Sequence, residues 1–280
     1  MNAADFSLFA RLLKDGSGLV LTEEKSYLIE SRLLAVAQRH GFASVAVLAR
    51  ALRQNADKAL VHEIVVAMTT NESSFFRDMK PFEQFRAIVL PALLKARAAS
   101  RTVRIWSTAC AAGQEPYSLA MILEEERARL AGWHVSLVAT DISGAMIERA
   151  KAGNYSQFEV QRGLPLKYLV RHMEPEADRW QLKPAIRGMV EFHAANLLDD
   201  LSWLGRFDAI WCRNVLLYFD AATKSALLDR LSRQLRPDGF LALGGAETTL
   251  GVSDRFEPVP QQRGLYRIAA CAPAAALRAK

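Results

Sequence analysis

Apolar residues recur at helical spacing through the first quarter of the chain. "DFSLFARLLKD" places Phe6, Phe9, Leu12 and Leu13 on one face behind Asp5, a capping-type residue. "EEKSYLIESRLLAVAQRHG" repeats the pattern up to Gly41, which suits a helix stop. "SVAVLARALRQN" and "KALVHEIVVAMTT" extend it, and no strand pattern intervenes. The reading is a small helical domain over residues 1–68. "MKPFEQFRAIVLPALLKARAAS" predicts another helix, interrupted near Pro91, where an N–H is missing. Residues 69–95 then form a linker.

The period changes after this helix. "TVRIWSTAC", "WHVSLVATDIS", "MVEFHAANL", "FDAIWCRNVLLYF" and "GFLALGGAE" read as strands. Helical patterns separate them in "QEPYSLAMILEEERARL", "GAMIERAKAG" and "AATKSALLDRLSRQL", and "RPDG" reads as a turn. Alternation of this kind predicts an α/β fold over residues 96–272, with a parallel sheet covered on both faces. "FEPVPQQRGLYRIAA" closes it as one or two strands. Between Tyr155 and Val190 the alternation breaks. That stretch reads as an insertion near 156–190 holding a helix and a short β excursion. The low-complexity run "CAPAAALRAK" gives a frayed tail over 273–280.

Composition narrows the function classes. The chain has 280 residues, 51% of them hydrophobic, enough for a sizeable core in one or two domains. Its net charge of +6 suits an acidic partner, and it is also ordinary among enzymes. Aromatics are not interleaved with basic runs, as a nucleic-acid stacking surface requires, so no nucleic-acid partner is expected. Cys110, Cys212 and Cys271 are odd in number and form no CxxC, which argues against a disulfide framework or zinc site. The five histidines include no HxxxH pair, and no metal is expected. The start lacks a basic region followed by a long apolar run, and no run approaches the ~20 residues of a membrane span. A soluble protein of a reducing compartment, the cytoplasm, is expected, with no insertion into membranes.

Candidate chemistry collects at strand ends. In an open α/β sheet ligands bind beyond the carboxyl ends of the strands. "STACAAGQE" follows the first strand with small residues that let a ligand approach the backbone, but it is not GxGxxG. Glu115 opens the next helix, either to face a ligand carrying an ammonium or ribose hydroxyls or to serve the helix N-terminus. Asp141 ends a strand, either to accept ribose hydroxyls or to cap a helix, a task Ser143 can also fill. Asn196 follows a strand, to read an adenine edge or to make a loop turn. Cys212, Arg213 and Asn214 end another strand, ahead of Tyr218. "TTNESSFFRD", residues 69–78, fits neither period: a polar turn, an aromatic pair and one cation lie between two well-patterned regions.

Taken together, "TTNESSFFRD", "WSTACAAGQEPYSLAM", "TDIS", "ANLL" and "CRNVLLYF" resemble the signature segments of the chemotaxis receptor methyltransferases, the CheR family. The resemblance runs from about Phe6 to about Ile268, in order and at compatible spacing. It implies a Rossmann-like S-adenosylmethionine methyltransferase sheet with a small all-helical N-terminal domain and a small β insertion. It implies methyl transfer to glutamate carboxylates on the cytoplasmic domains of bacterial chemoreceptors, leaving S-adenosylhomocysteine.

By the same match, the 69–78 segment forms one wall of the cofactor site. Asn71, Ser73 and Arg77 face the cofactor, with serine at Ser73 where threonine is common. Glu115, Asp141, Asn196, Leu197, Cys212, Arg213 and Asn214 supply further cofactor contacts, and Arg77 and Tyr218 are the catalytic pair. Arg32 and Arg39, seven apart on one helix, are expected to dock the acidic receptor helix. The stretch "MEPEADRWQL" is short and lacks glycine, so binding of a receptor-tail pentapeptide by strand addition is not expected; the alternative is an edge offered by "DRWQL" and "GMVEFH", with Trp180 as a pocket. Rival readings are a same-fold methyltransferase acting on RNA or a small molecule, and a non-catalytic sensor that binds receptor or cofactor.

Overall fold

In the computed structural model, which describes residues 2–269, the chain begins with four helices: α1 (Ala3–Ser17), α2 (Ser26–Arg39), α3 (Val45–Gln54) and α4 (Lys58–Met68). The frayed tail expected over 273–280 lies outside the described residues. The four apolar faces enclose their own core, in which Phe9, Leu13, Ile29, Leu33 and Ile64 are fully buried. Asp5 is not the cap of α1. The helix starts earlier than the apolar pattern, and Asn2 Oδ1 accepts the Asp5 N–H at 2.8 Å. The Asp5 carboxylate is buried instead and pairs with Arg53 at 2.5 Å.

The next helical run is broken as proline chemistry requires. α5 (Lys80–Gln84) passes through a π-helical turn, Phe85–Val89, into α6 (Leu90–Ala96), with Pro91 in the first turn of α6. The widened turn accommodates the missing N–H.

The α/β half follows as β1 (Thr102–Ser107), α7 (Gln114–Glu125), β2 (His134–Asp141) and α8 (Gly144–Ala152). The insertion holds β3 (Asn154–Ser156), α9 (Gln157–Gln161), α10 (Leu166–His172), β4 (Met173–Glu176), β5 (Arg179–Leu182) and α11 (Pro184–Arg187). The main sheet resumes with β6 (Val190–Ala194) and β7 (Phe207–Cys212), then α12 (Ala221–Gln234), β8 (Leu235–Leu243), β9 (Phe256–Pro258) and β10 (Leu265–Ile268).

The large sheet has the order β6-β2-β1-β7-β8-β10-β9. Its first five strands are parallel, while β10 runs antiparallel to both β8 and β9. The wholly parallel expectation is therefore corrected at one edge. Parallel pairing needs a long crossover, and β9 and β10 form a hairpin that has none. "RPDG" leaves the ladder as a bulge: Phe207 pairs with Leu235, but Ala209 pairs with Phe240.

Strand residues alternate between two cores. Ile105, Leu137 and Ala209 pack on the side of α7 and α8, while Trp106, Val138 and Ile210 pack on the side of α12. The α/β class, the helical N-terminal domain and the β insertion stand as expected.

The insertion's sheet has the order β3-β5-β4, all antiparallel. "DRWQL" supplies the central strand, paired on both sides, so it offers no free edge. "GMVEFH" belongs to β6 and the main sheet. The Trp180 indole donates to Gln157 Oε1 at 2.6 Å.

Candidate active site

The carboxyl ends of β1, β2 and β7 open into a cavity of about 1120 Å³ of empty space that reaches solvent. The loop after β1 forms its floor. Ala109 and Ala111 take φ values of 46° and 49°, a left-handed conformation costing roughly 1–2 kcal/mol for a residue with a Cβ. Hydrogen bonds hold them there: Cys110 N–H to Thr140 O at 2.9 Å, and Ala111 N–H to Asp141 Oδ2 at 2.8 Å. At Gly113, φ is 89° and a Cβ would stand 3.0 Å from Ala150 Cβ, so glycine is required.

Asp141 is buried at the end of β2, and its Oδ1 accepts the Ser143 N–H at 2.8 Å. Ser143, not Asp141, caps α8, accepting the Met146 N–H. Burial pushes the Asp141 carboxyl above the usual aspartate range, against the pull of the two N–H bonds. Each oxygen keeps acceptor capacity beyond its one backbone partner.

Glu115 lies in the first turn of α7, nearly buried. Its Oε1 accepts from Ser107 Oγ at 2.9 Å and its Oε2 from Arg213 Nη1 at 2.8 Å. Glu115, which lines the cavity, is thus also charge-paired within the protein. Arg213 extends the chain of contacts: its Nη2 donates to Arg77 O at 2.9 Å and to Asp78 Oδ2 at 2.7 Å. Its Nε is buried without a protein partner. One guanidinium therefore joins β7, α7 and the 69–78 segment.

That segment is anchored by its aromatic pair. Phe75 meets Tyr155 edge-on at 4.9 Å, and Phe76 stacks on Tyr168 at 4.7 Å. Burying each is worth about 1.5–3 kcal/mol. Phe76, Asp78 and Met79 all take positive φ, so the chain is bent sharply where Arg77 is presented. Asn71, Ser73 and Arg77 line the cavity, and Arg77 Nη1 donates to Glu72 O at 3.2 Å. Tyr218 lines the same cavity from a 3₁₀ turn, Leu216–Tyr218, with 37% of its surface exposed.

Several expected contacts are placed differently. Asn196 and Leu197 line the cavity, but the Asn196 amide is engaged: Nδ2 donates to Gly16 O at 2.7 Å, and Oδ1 accepts the Leu198 N–H at 3.0 Å. Its side chain makes the loop turn. Cys212 does not line the cavity. Strand alternation turns it into the core, and burial pushes its thiol up to about 12. Asn214 lines it, with φ of 60°. The proposed docking pair is also engaged. Arg32 Nη1 donates to Met68 O at 2.7 Å and so satisfies the end of α4, while Arg39 pairs with Glu63 at 2.5 Å. Two loose charges are thus replaced by one helix cap and one ion pair.

Two contributions escaped sequence reasoning. Glu247 is buried, and its carboxylate accepts N–H groups from Asn214 and Val215 at 2.8 Å each and from Gly244 at 2.6 Å. A lone acid directly after the apolar strand "GFLALGGAE" was the available signal. Ser17 and Leu19 of the helical domain also line the cavity. Among the described residues, no group of three or more His, Cys, Asp or Glu is placed to hold a metal ion. No helix there is long and apolar enough to cross a membrane.

Comparison with known proteins gives this geometry a family. Residues 71–265 match the model of the CheR methyltransferase SAM-binding domain, and residues 4–69 match that of the CheR methyltransferase all-alpha domain. The chain is 44% identical to chemotaxis protein methyltransferase 1 of Pseudomonas aeruginosa, over 94% of this chain and 97% of that protein. It is 40% identical to chemotaxis protein methyltransferase Cher2 of Pseudomonas putida, over 93% and 96%. A Vibrio parahaemolyticus chemotaxis protein methyltransferase is 38% identical over 92% and 94%. The chain with Asp141, Glu115 and Arg213 around a strand-end cavity, and Arg77 and Tyr218 lining it, belongs to the CheR methyltransferase family and takes S-adenosylmethionine as its cofactor.

Proposed function

We propose that this protein is a protein-glutamate O-methyltransferase that modifies the cytoplasmic domains of chemoreceptors and works in the cytoplasm. One observation carries the reading: Arg77 and Tyr218 line the same cavity as the Asp141 and Glu115 carboxylates. The residues fit the cofactor. Asp141 has acceptor capacity for ribose hydroxyls, the alanine-walled loop leaves room for close approach, and the Arg213 Nε is a buried donor without a protein partner.

When bound, S-adenosylmethionine supplies an electrophilic methyl group on a sulfonium that is already a good leaving group. A glutamate, with a reference pKa of about 4.3, is already an anion near neutral pH, so no general base is required. The chain's task is alignment and exclusion of water, for which effective molarity can contribute about 7–11 kcal/mol. In this reading Asp141 holds the ribose end. Glu115 and Arg213, fixed on each other, keep the cavity wall rigid. Arg77 orients the carboxylates of cofactor and substrate, and Tyr218 donates its hydroxyl hydrogen to the attacking carboxylate without taking a proton.

The direct test incubates receptor cytoplasmic fragments with enzyme and cofactor and maps the products by mass spectrometry. Glutamates gaining the mass of one CH₂ are expected. Unmodified receptor alongside methylated RNA or small molecules would sink the substrate assignment. Cofactor binding without turnover on any of them would favour a sensor.

We further propose that receptors are recognised mainly through their methylation region, not through a tail peptide. The insertion's outer strand β4 contains Pro175, which has no N–H to offer, flanked by Glu174 and Glu176. The other outer strand, β3, is three residues long. A receptor-tail pentapeptide should bind weakly or not at all by calorimetry; low-micromolar affinity would overturn this.

A further inference from the structure

We infer that residues 14–20, at the end of α1, are positioning residues for the active site: they brace the turn that carries Tyr218. Separate contacts converge there. The Val20 N–H donates to the Tyr218 carbonyl at 2.9 Å. Lys14 Nζ pairs with Asp220 at 2.5 Å, and Asp220 also caps α12 by accepting the Thr223 N–H at 2.9 Å. The Gly16 carbonyl accepts from Asn196 on the adjoining wall at 2.7 Å.

Between these contacts lies Gly18. Its φ is 76°, and an added Cβ would stand 2.9 Å from Thr223 Cγ2 and 3.1 Å from the Phe219 ring. A side chain there would strain the backbone and push the helical domain off the turn. The helical domain therefore grips the backbone of Tyr218 from outside, while the tyrosine side chain faces the cavity.

Besides these contacts, the turn is held by the Leu216 side chain, buried in the core on the α12 side. Its own hydrogen bonds are Tyr218 N–H to Val215 O at 3.2 Å and Phe219 N–H to Leu216 O at 3.1 Å, and Glu247 holds only the residues before it. A group that orients a reacting carboxylate tolerates little displacement, since a misplacement of about 1 Å can cost on the order of 100-fold in rate. The effect on turnover rests on the reading of Tyr218 given above; the effect on the order of the turn does not.

Amide exchange by mass spectrometry separates the two. In Gly18→Ala, and less strongly in the surface variant Lys14→Met, amides of residues 216–219 should exchange about fivefold faster or more. A β2 peptide should be unchanged, and Lys14→Arg should restore protection. Unchanged exchange in both variants overturns the brace, whatever Tyr218 does. Gly18→Ala should also lower kcat at saturating cofactor by on the order of tenfold. In a Tyr218→Phe background that loss should vanish. A loss of equal size in both backgrounds would show that Gly18 acts by another route and would overturn the positioning role. Should Tyr218→Phe turn over at the parent rate, the hydroxyl assignment falls, and exchange alone judges the brace.

Discussion

The inner and outer parts of the cavity are built differently. Inside, Asp141, Glu115 and Arg213 are nearly or fully buried at the ends of regular elements, each with at least two hydrogen-bond partners. Outside, Arg77 and Tyr218 are partly exposed, on a strained loop and a single 3₁₀ turn. In the function proposed above, the inner groups receive the same cofactor at every turnover and lose nothing by rigidity. The outer groups keep solvent contact on irregular segments, and in that proposed function they would meet a side chain of another protein.

This difference can be broken from the inside first. Arg213→Met leaves the nearly buried Glu115 without its counter-charge, and breaking a buried pair costs about 3–5 kcal/mol. Denaturant unfolding should show that loss, and near-parent stability would mean the pair is not structural. From the outside, Tyr218→Phe removes only a hydroxyl. It should leave stability and cofactor affinity near the parent values and reduce turnover by on the order of 100-fold. Turnover at the parent level would end the catalytic assignment.

Asp141→Ala sharpens the contrast. It should weaken cofactor binding at least roughly tenfold, since each charge-assisted hydrogen bond is worth about 1.5–3 kcal/mol. Unchanged affinity in calorimetry would count against the ribose role.

The smallest effect lies away from the cavity, where the insertion meets α7. Burial alone would raise the Glu125 carboxyl, but hydrogen bonds from Tyr168, Lys167 and Arg86 hold it at about 2. A depressed folded value gives stability that is fully present above the ordinary value of 4.5 and is lost as pH falls toward 2. The melting temperature should therefore drop across that window. Glu125→Gln should flatten the drop, while an identical pH profile in the variant would assign the drop to other carboxylates.

How much was legible in the sequence follows the same division. β1, β2 and β7 could be read directly because sustained apolar runs mark strands buried on both faces. Asp141, Glu115 and Arg213 stood out as polar groups ending such runs. What could not be read was where those polar groups spend their hydrogen bonds. Asn196 finds its partner at Gly16, 180 residues away, and Glu115 finds Arg213 98 residues away. Helical spacing puts Arg32 and Arg39 on one face, but it says nothing of the α4 carbonyls or of Glu63 waiting beside them. Cys212 shows the converse limit: motif membership marked it, and a one-residue step in strand alternation sent it into the core. The edge hairpin was missed in direction because periodicity is blind to whether a strand returns.

The strand order has a consequence for the birth of the enzyme. β1 lies between β2 and β7, and β7 enters the chain only after the whole insertion has been made. The helical domain, whose contacts are local, can fold while the rest is still being synthesised. The cofactor pocket cannot. Until residue 213 has emerged and β7 has docked beside β1, Glu115 has no counter-charge and Arg77 has no support for its backbone. A nascent chain therefore carries a finished helical domain joined to an unclosed sheet. Cofactor bound to the completed fold would draw the last step toward the native state by mass action.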